Sequence, residues 1–240
     1  MWEISISVND AKNGCINNLA AQIEPYLKRA NGVMARGAAG NRSVLSLACE
    51  DAGRKTLADA LRGVITEIIV TDFKYDYIFE NSRLPNTNPV NYNAFLKALV
   101  AFDSEFDRDL VIKKLSLSKE LMLDGFFNFR LKELRERWKE ICELANDNSG
   151  YLSFPDTFLE LLKFLVDTIG SRAGEVRVYA RKNVLKIDDC ETLEPFDGEN
   201  LPALLIGLKP GKIIIYDAGV LPQNILNLIC GVFEERVETL

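Results

Sequence analysis

Residues 2 to 8 alternate. Trp2, Ile4, Ile6 and Val8 fall on one side and Glu3, Ser5 and Ser7 on the other, the period of a half-buried strand. Asn9-Asp10 can cap the following helix, whose apolar stripe is Cys15, Leu19, Ile23 and Tyr26. Pro25 predicts a break or kink near Ile23, because an internal proline removes an N–H and crowds the preceding turn. Asn31-Gly32 ends the helix. Val33 to Ala35 and Val44 to Cys49 read as a hairpin about Gly37-Ala38-Ala39-Gly40-Asn41. Asp51 reads as the N-cap of a long helix carrying Leu57, Leu61, Val64, Ile68, Tyr75 and Phe79. The β-branched run from Val64 to Thr71 would also suit a strand, but helical spacing on both sides favours a helix.

Asn81 to Asn91, with Pro85 and Pro89, is a loop and the clearest internal boundary. Beyond it Tyr92, Phe95, Leu96, Leu99 and Phe102 make one helical stripe, and Phe106, Leu110 and Lys114-Leu115 continue it in a second segment. Asp124-Gly125 opens the most regular pattern, with Phe127, Leu131, Leu134, Trp138, Ile141 and Ala145 alternating spacings of four and three. A helix after Pro155 carries Phe158, Leu161, Leu162, Leu165 and Ile169, and Gly170 stops it. The last 70 residues change period. Val176 and Val178 start a strand, Lys182-Asn183 turns the chain into Val184 to Asp188, and Leu201 to Leu208 is a short helix ended by Lys209-Pro210-Gly211. Ile213 to Tyr216 suits a strand covered on both faces, and a final helix carries Ile225, Leu228, Ile229, Val232 and Val237.

These elements predict an α+β protein. A βαββα part spans residues 1–80, a central helical segment 90–170 and a ββαβα part 171–240. The pattern leaves open whether the two end parts share one sheet or one domain.

Composition narrows the chemistry. The chain has 240 residues, 48% of them apolar, which suits a globular protein. A formal net charge of −6 argues against a general nucleic-acid or anionic-membrane binder, both of which need excess Lys and Arg. No apolar run approaches the roughly 20 residues of a membrane span, and Met1-Trp2-Glu3-Ile4 does not open a signal peptide. The expectation is a cytoplasmic protein without a membrane partner. The cysteines at 15, 49, 142, 190 and 230 are scattered and read as reduced, small apolar residues. The chain has no histidine, which removes Ser-His-Asp and Cys-His catalysis and the histidine-containing zinc motifs. There is no phosphate-binding glycine loop and no G-x-G-x-x-G, so no cofactor is implied.

The segment Asp124-Gly125-Phe126-Phe127-Asn128-Phe129-Arg130-Leu131-Lys132 resembles the G-F-x-N-F-R-L-K stretch of the YtxC-like family of putative sporulation proteins. The resemblance continues in 158–166 and returns in 231–237. It is best over roughly 105 to 240. It implies an endospore-forming bacterium and a cytoplasmic, sporulation-associated role, and it implies no activity.

Five residues stand out as candidate ligand or partner contacts. Asn128 and Arg130, read at a helix start, combine free N–H groups with a guanidinium fork and suit a carboxylate or phosphate. The plainer reading pairs Arg130 with Glu133 or Glu234 and gives Asn128 a local hydrogen bond. Asp217, before Ala218-Gly219, closes an apparently parallel strand, where ligands of open α/β sheets gather; Asp-x-Gly is also an ordinary turn. Glu234 and Arg236 flank Glu235 at the end of the last helix, where a solvated end is the plainer reading. The mixed run from Arg130 to Glu143 reads as a solvated face, with pairs such as Glu133 and Arg137. No complete catalytic constellation emerges. The leading expectation is therefore a non-enzymatic protein that binds a protein partner or a ligand. An enzyme using carboxylates and Arg130 on a phosphate-bearing or metal-bound substrate comes second, and nucleic-acid binding through 130–139 third.

Overall fold

The computed structural model describes residues 1–83, 88–147, 149–150, 154–171, 173–188 and 193–240. Cys190 and Pro85 lie outside them. The fold is mixed α+β and divides into two compact units, each built from two stretches of chain. The first comprises Met1–Tyr77 and Glu105–Trp138, the second Ile78–Ser104 and Lys139–Leu240. The two ends of the chain do not share a sheet.

In the first unit β1 (Trp2–Asn9) is central. It runs antiparallel to β3 (Arg42–Cys49), which is antiparallel to β2 (Val33–Ala39), and parallel to the three-residue β4 (Glu120–Met122). The alternation works as expected: Ile4, Ile6, Val8, Leu45, Leu47 and Cys49 are buried on one face. The other face carries serines, with Ser5 and Ser46 hydroxyls 3.0 Å apart. The glycine-rich stretch is mostly strand. Ala39 pairs with Arg42, so the turn is only Gly40-Asn41, and Gly40 sits at φ +63°, where a side chain is strained.

Helix α1 (Asn13–Arg29) buries Cys15, Ile16, Leu19, Ala20, Ile23 and Leu27. Pro25 lies inside it, so the helix does not break near Ile23. The proline and Ala21, whose carbonyl loses its donor, both lie on the exposed face, where that carbonyl is open to solvent. The stripe closes on Leu27, while Tyr26 points outward at 38% exposure.

Helix α2 (Arg54–Ile68) starts three residues after Asp51, so Asp51 is not its N-cap. Gly53 takes that position without a side-chain cap, and the Asp51 carboxylate pairs with the Met1 ammonium at 2.9 Å. A Cβ at Gly53 would stand 2.7 Å from the Ala30 carbonyl, so only glycine permits this approach of α2 to the end of α1. Helicity continues beyond Ile68, as the spacing predicts, but through a π segment, Ile69–Phe73, into α3 (Lys74–Asn81). The wider π turn rotates the buried face. Phe73, Lys74 and Ile78 are buried, while Tyr75 and Phe79 are 40% and 52% exposed.

The second stretch of the first unit adds most of α5 (Ser104–Lys114), β4 and α6 (Leu123–Arg130), and the first half of α7 (Lys132–Asp147). The helix begins at Leu123, with Met122 in the cap position. The regular pattern after it forms two helices, because Leu131 leaves helical geometry at φ −108°, ψ 38°. That break turns Leu131, Leu134 and Trp138 into the core, where Trp138 stacks on Phe127 at 5.5 Å and Phe73 meets Phe127 at 5.2 Å.

In the second unit α4 (Pro89–Ala101) starts with Asn88 accepting from the Val90 N–H, and it packs on α8 (Pro155–Ile169) and α9 (Leu201–Leu208). The sheet order is β7 (Leu193–Pro195), β6 (Val184–Ile187), β5 (Ala173–Tyr179), β8 (Pro210–Tyr216), β9 (Val237–Thr239). β5, β8 and β9 are mutually parallel neighbours, and β6 and β7 add antiparallel. Ile213, Ile214 and Ile215 are all buried, as expected of a central strand. Helix α10 (Gln223–Phe233) is shorter than its stripe suggests. Glu234 at φ +44° ends it, and Val237 belongs to β9.

Candidate functional site

Helix α6 is two turns long. Leu123, Phe126 and Phe127 face inward at i, i+3 and i+4, so Asn128, Phe129 and Arg130 must face outward. Arg130 sits in the last turn, not the first, so the helix-start argument for it does not hold. What the geometry does give Arg130 is a cleft of about 540 Å³ within the first unit. Its cations are Arg130 and Lys114, the latter from the last turn of α5. Neither enters an ion pair among the described residues. Ser116 and Ser118 line it from the loop before β4, and the Ser118 hydroxyl donates to the Glu120 carbonyl at 2.5 Å. Glu120 is its one carboxylate. The floor is apolar, formed by buried Leu121 and Phe126, while Met122 and Phe129 stand on it 56% and 76% exposed.

At the side of this segment, Asp124 turns to the sheet, where Arg42 grips it with two guanidinium nitrogens and also donates from Nε to the Ser7 hydroxyl at 3.1 Å. Partial burial alone would raise the Asp124 carboxyl. The Arg42 hydrogen bond and charge, with the N–H groups of Asp124 and Gly125, outweigh it and hold the carboxyl below its usual range. Asp124 thus anchors the start of α6.

The other sequence candidates are placed elsewhere. The Asn128 carbonyl accepts from Arg135 Nη2 at 2.9 Å, and Asn128 does not line the cleft. Asp217 follows β8 at φ +55°, where its carbonyl accepts from Val220 N–H and its carboxylate lies 3.3 Å from Arg181. It lines a shallow depression of about 410 Å³ at the C-terminal ends of the parallel strands in the second unit. Glu234 accepts from Lys163 at 2.6 Å, and Arg236 pairs with Asp167. Both ties fasten the turn after α10 to α8. In the run 130–139, Arg137 lies over the Phe106 ring at 3.9 Å.

Ser116 and Glu120 are absent from the sequence reading, and Lys114 enters it only as a continuation of a helical stripe. The three residues of β4 are too few for a period-2 pattern, and the only signal was Leu115 and Leu117 alternating with Ser116 and Ser118. A third concavity, about 390 Å³ and almost wholly apolar, lies in the second unit between α4, α8 and the end of α7. Among the described residues no three His, Cys, Asp or Glu side chains converge as a metal site requires, and no helix is long and apolar enough to cross a membrane. Cys15 lies buried near Asp72, and burial first, then that carboxylate, push its thiol up to about 11, so it is not a poised nucleophile.

No protein-family model, curated protein or solved structure matches the chain.

Proposed function

We propose that this chain is a binding protein, and that the Lys114–Arg130 cleft receives an anionic group of its ligand or protein partner. One observation carries the reading. Two cations that enter no ion pair among the described residues open into the same concavity over an apolar floor, beside a hydroxyl and, among those residues, a single carboxylate. Surface cations in folded proteins usually meet water or a carboxylate on flat ground, whereas a concavity with convergent polar groups is the form of a ligand site. A phosphate or carboxylate suits it, since guanidinium and ammonium both bind such oxygens with charge-assisted hydrogen bonds.

Among the described residues Glu120 forms no ion pair with Lys114 or Arg130, and we read the cleft as a binding site and not a catalytic one. Arg130 and Asp217 line different concavities. The setting we propose is the cytoplasm of a sporulating cell. That setting rests on the three resembling segments alone, the first of which supplies Gly125, Phe126, Phe129 and Arg130 to the cleft.

Thermal unfolding with a panel of phosphate- and carboxylate-bearing compounds tests the reading. A ligand at about 100 times its Kd adds roughly 2.7 kcal/mol to the wild type. Arg130→Ala and Lys114→Ala should remove that gain while shifting intrinsic stability by no more than about 0.5 kcal/mol, as exposed substitutions do. A panel with no stabilising anion, or a gain untouched by both substitutions, would reject the cleft.

A further inference from the structure

The cleft contains more than an anion needs. A phosphate alone would be served by Lys114, Arg130 and the Ser116 hydroxyl, and it would fill a small part of about 540 Å³. An anion with a plain hydrocarbon body would use the apolar floor as well, but it would gain nothing from the Glu120 carboxylate, which carries no ion pair among the described residues and would repel it. A ligand that satisfies every group must present an anion, an apolar face and a hydrogen-bond donor. The apolar surface on offer includes the ring of Phe129, 76% exposed, with Phe126 beneath the floor.

We infer that the cleft binds a nucleoside phosphate, with the phosphate at Lys114 and Arg130, the base against Phe129, and a base amino group or ribose hydroxyl donating to Glu120. The inference rests on the anion-site reading above and names its ligand. Every base has a π face, so stacking on an exposed phenylalanine is available to all of them. The guanidinium fork of Arg130 matches two phosphate oxygens, and Ser116 can donate to a third. The segment has no glycine-rich cradle, so side chains and not backbone N–H groups hold the phosphate. Binding is therefore sensitive to salt.

The test is isothermal titration of the full chain with AMP, GMP, ATP and GTP, beside inorganic phosphate and octyl phosphate. At least one nucleotide should bind ten-fold or more tighter than inorganic phosphate and octyl phosphate. Arg130→Ala should weaken it at least ten-fold. Phe129→Leu should weaken nucleotides about ten-fold and leave inorganic phosphate unchanged. Both side chains are exposed, and an unchanged melting temperature verifies that the variants fold. Nucleotides binding no tighter than inorganic phosphate, or unaffected by Phe129→Leu, would overturn the inference and leave the anion site standing. Octyl phosphate binding tightest would overturn it in favour of an amphiphile. No binding by any anion would overturn both readings.

Discussion

Lys74 and Asp107 are 0% and 1% exposed, with Nζ and Oδ2 2.6 Å apart. Trp138 Nε1 donates to the same oxygen at 3.1 Å, and the ammonium lies 5.8 Å from the centre of that indole ring. The triad ties α3, α5 and α7 inside the first unit. A charge stripped of water is tolerated only while its partner remains, so breaking such a pair costs far more than replacing both members. Lys74→Met or Asp107→Leu alone should lose about 3–5 kcal/mol in urea unfolding. The double variant should recover a large part of that loss. Equal losses in the single and double variants would show that packing around Trp138, not charge pairing, sets the cost.

Asp124 makes a different prediction, one of pH. Its carboxyl is held down in the folded state by Arg42, so its contribution is fully present above the unfolded-state value near 4 and fades as pH falls through the lower folded value. Asp124→Asn should be less stable than wild type at pH 7, and the gap in melting temperature should narrow below about pH 4. A gap that stayed constant into acid would mean that shape, not charge, matters at this position. None of these partnerships was legible beforehand. The sequence shows Lys74 only as a polar residue inside a long helix and Asp124 as one near a helix start, and their partners lie 33 and 82 positions away.

At the scale of elements, most helices and strands follow from periodicity, and the departures share one origin. Pro25 stays in α1 because the rest of that helix is anchored by Ile23 and Leu27 on the buried side. The long helix from Arg54 to Asn81 keeps its course by inserting the π turn at Ile69–Phe73, where Thr71 Oγ1 donates to the Glu67 carbonyl at 2.7 Å and lies 2.9 Å from Asp72 Oδ1. A hydroxyl that satisfies a carbonyl of the preceding turn supports such a local widening. Thr71→Val should therefore cost about 1 kcal/mol, measured by chemical unfolding, beyond what the same change costs on a regular helix surface. The split at Leu131 likewise breaks a helical stripe that looks unbroken, since Phe127 and Trp138 meet ring on ring only if the chain turns between them. Periodicity reports which side of an element avoids water. It does not report the small rotations by which two such sides are fitted together.

At the scale of the molecule, each compact unit takes two separate stretches of chain, and the first sheet joins Ser5 to Glu120 in a parallel pair. The cleft follows from that pairing: β4 brings Glu120, Leu121 and Met122 to α6, and α5 ends nearby with Lys114. Arg130 was visible in the sequence as a cation within an aromatic segment, yet its surroundings were not. The sequence by itself determined the α+β class, the order of most elements, the buried faces of the strands and the chemistries that a histidine-free chain forgoes, because each depends on neighbours a few residues apart or on composition. Only the tertiary structure decided which strands share a sheet, which charges are buried and which side chains line the cleft. Those outcomes depend on competition among many apolar faces of similar hydrophobicity, settled by shape and by long-range pairing that no local period encodes.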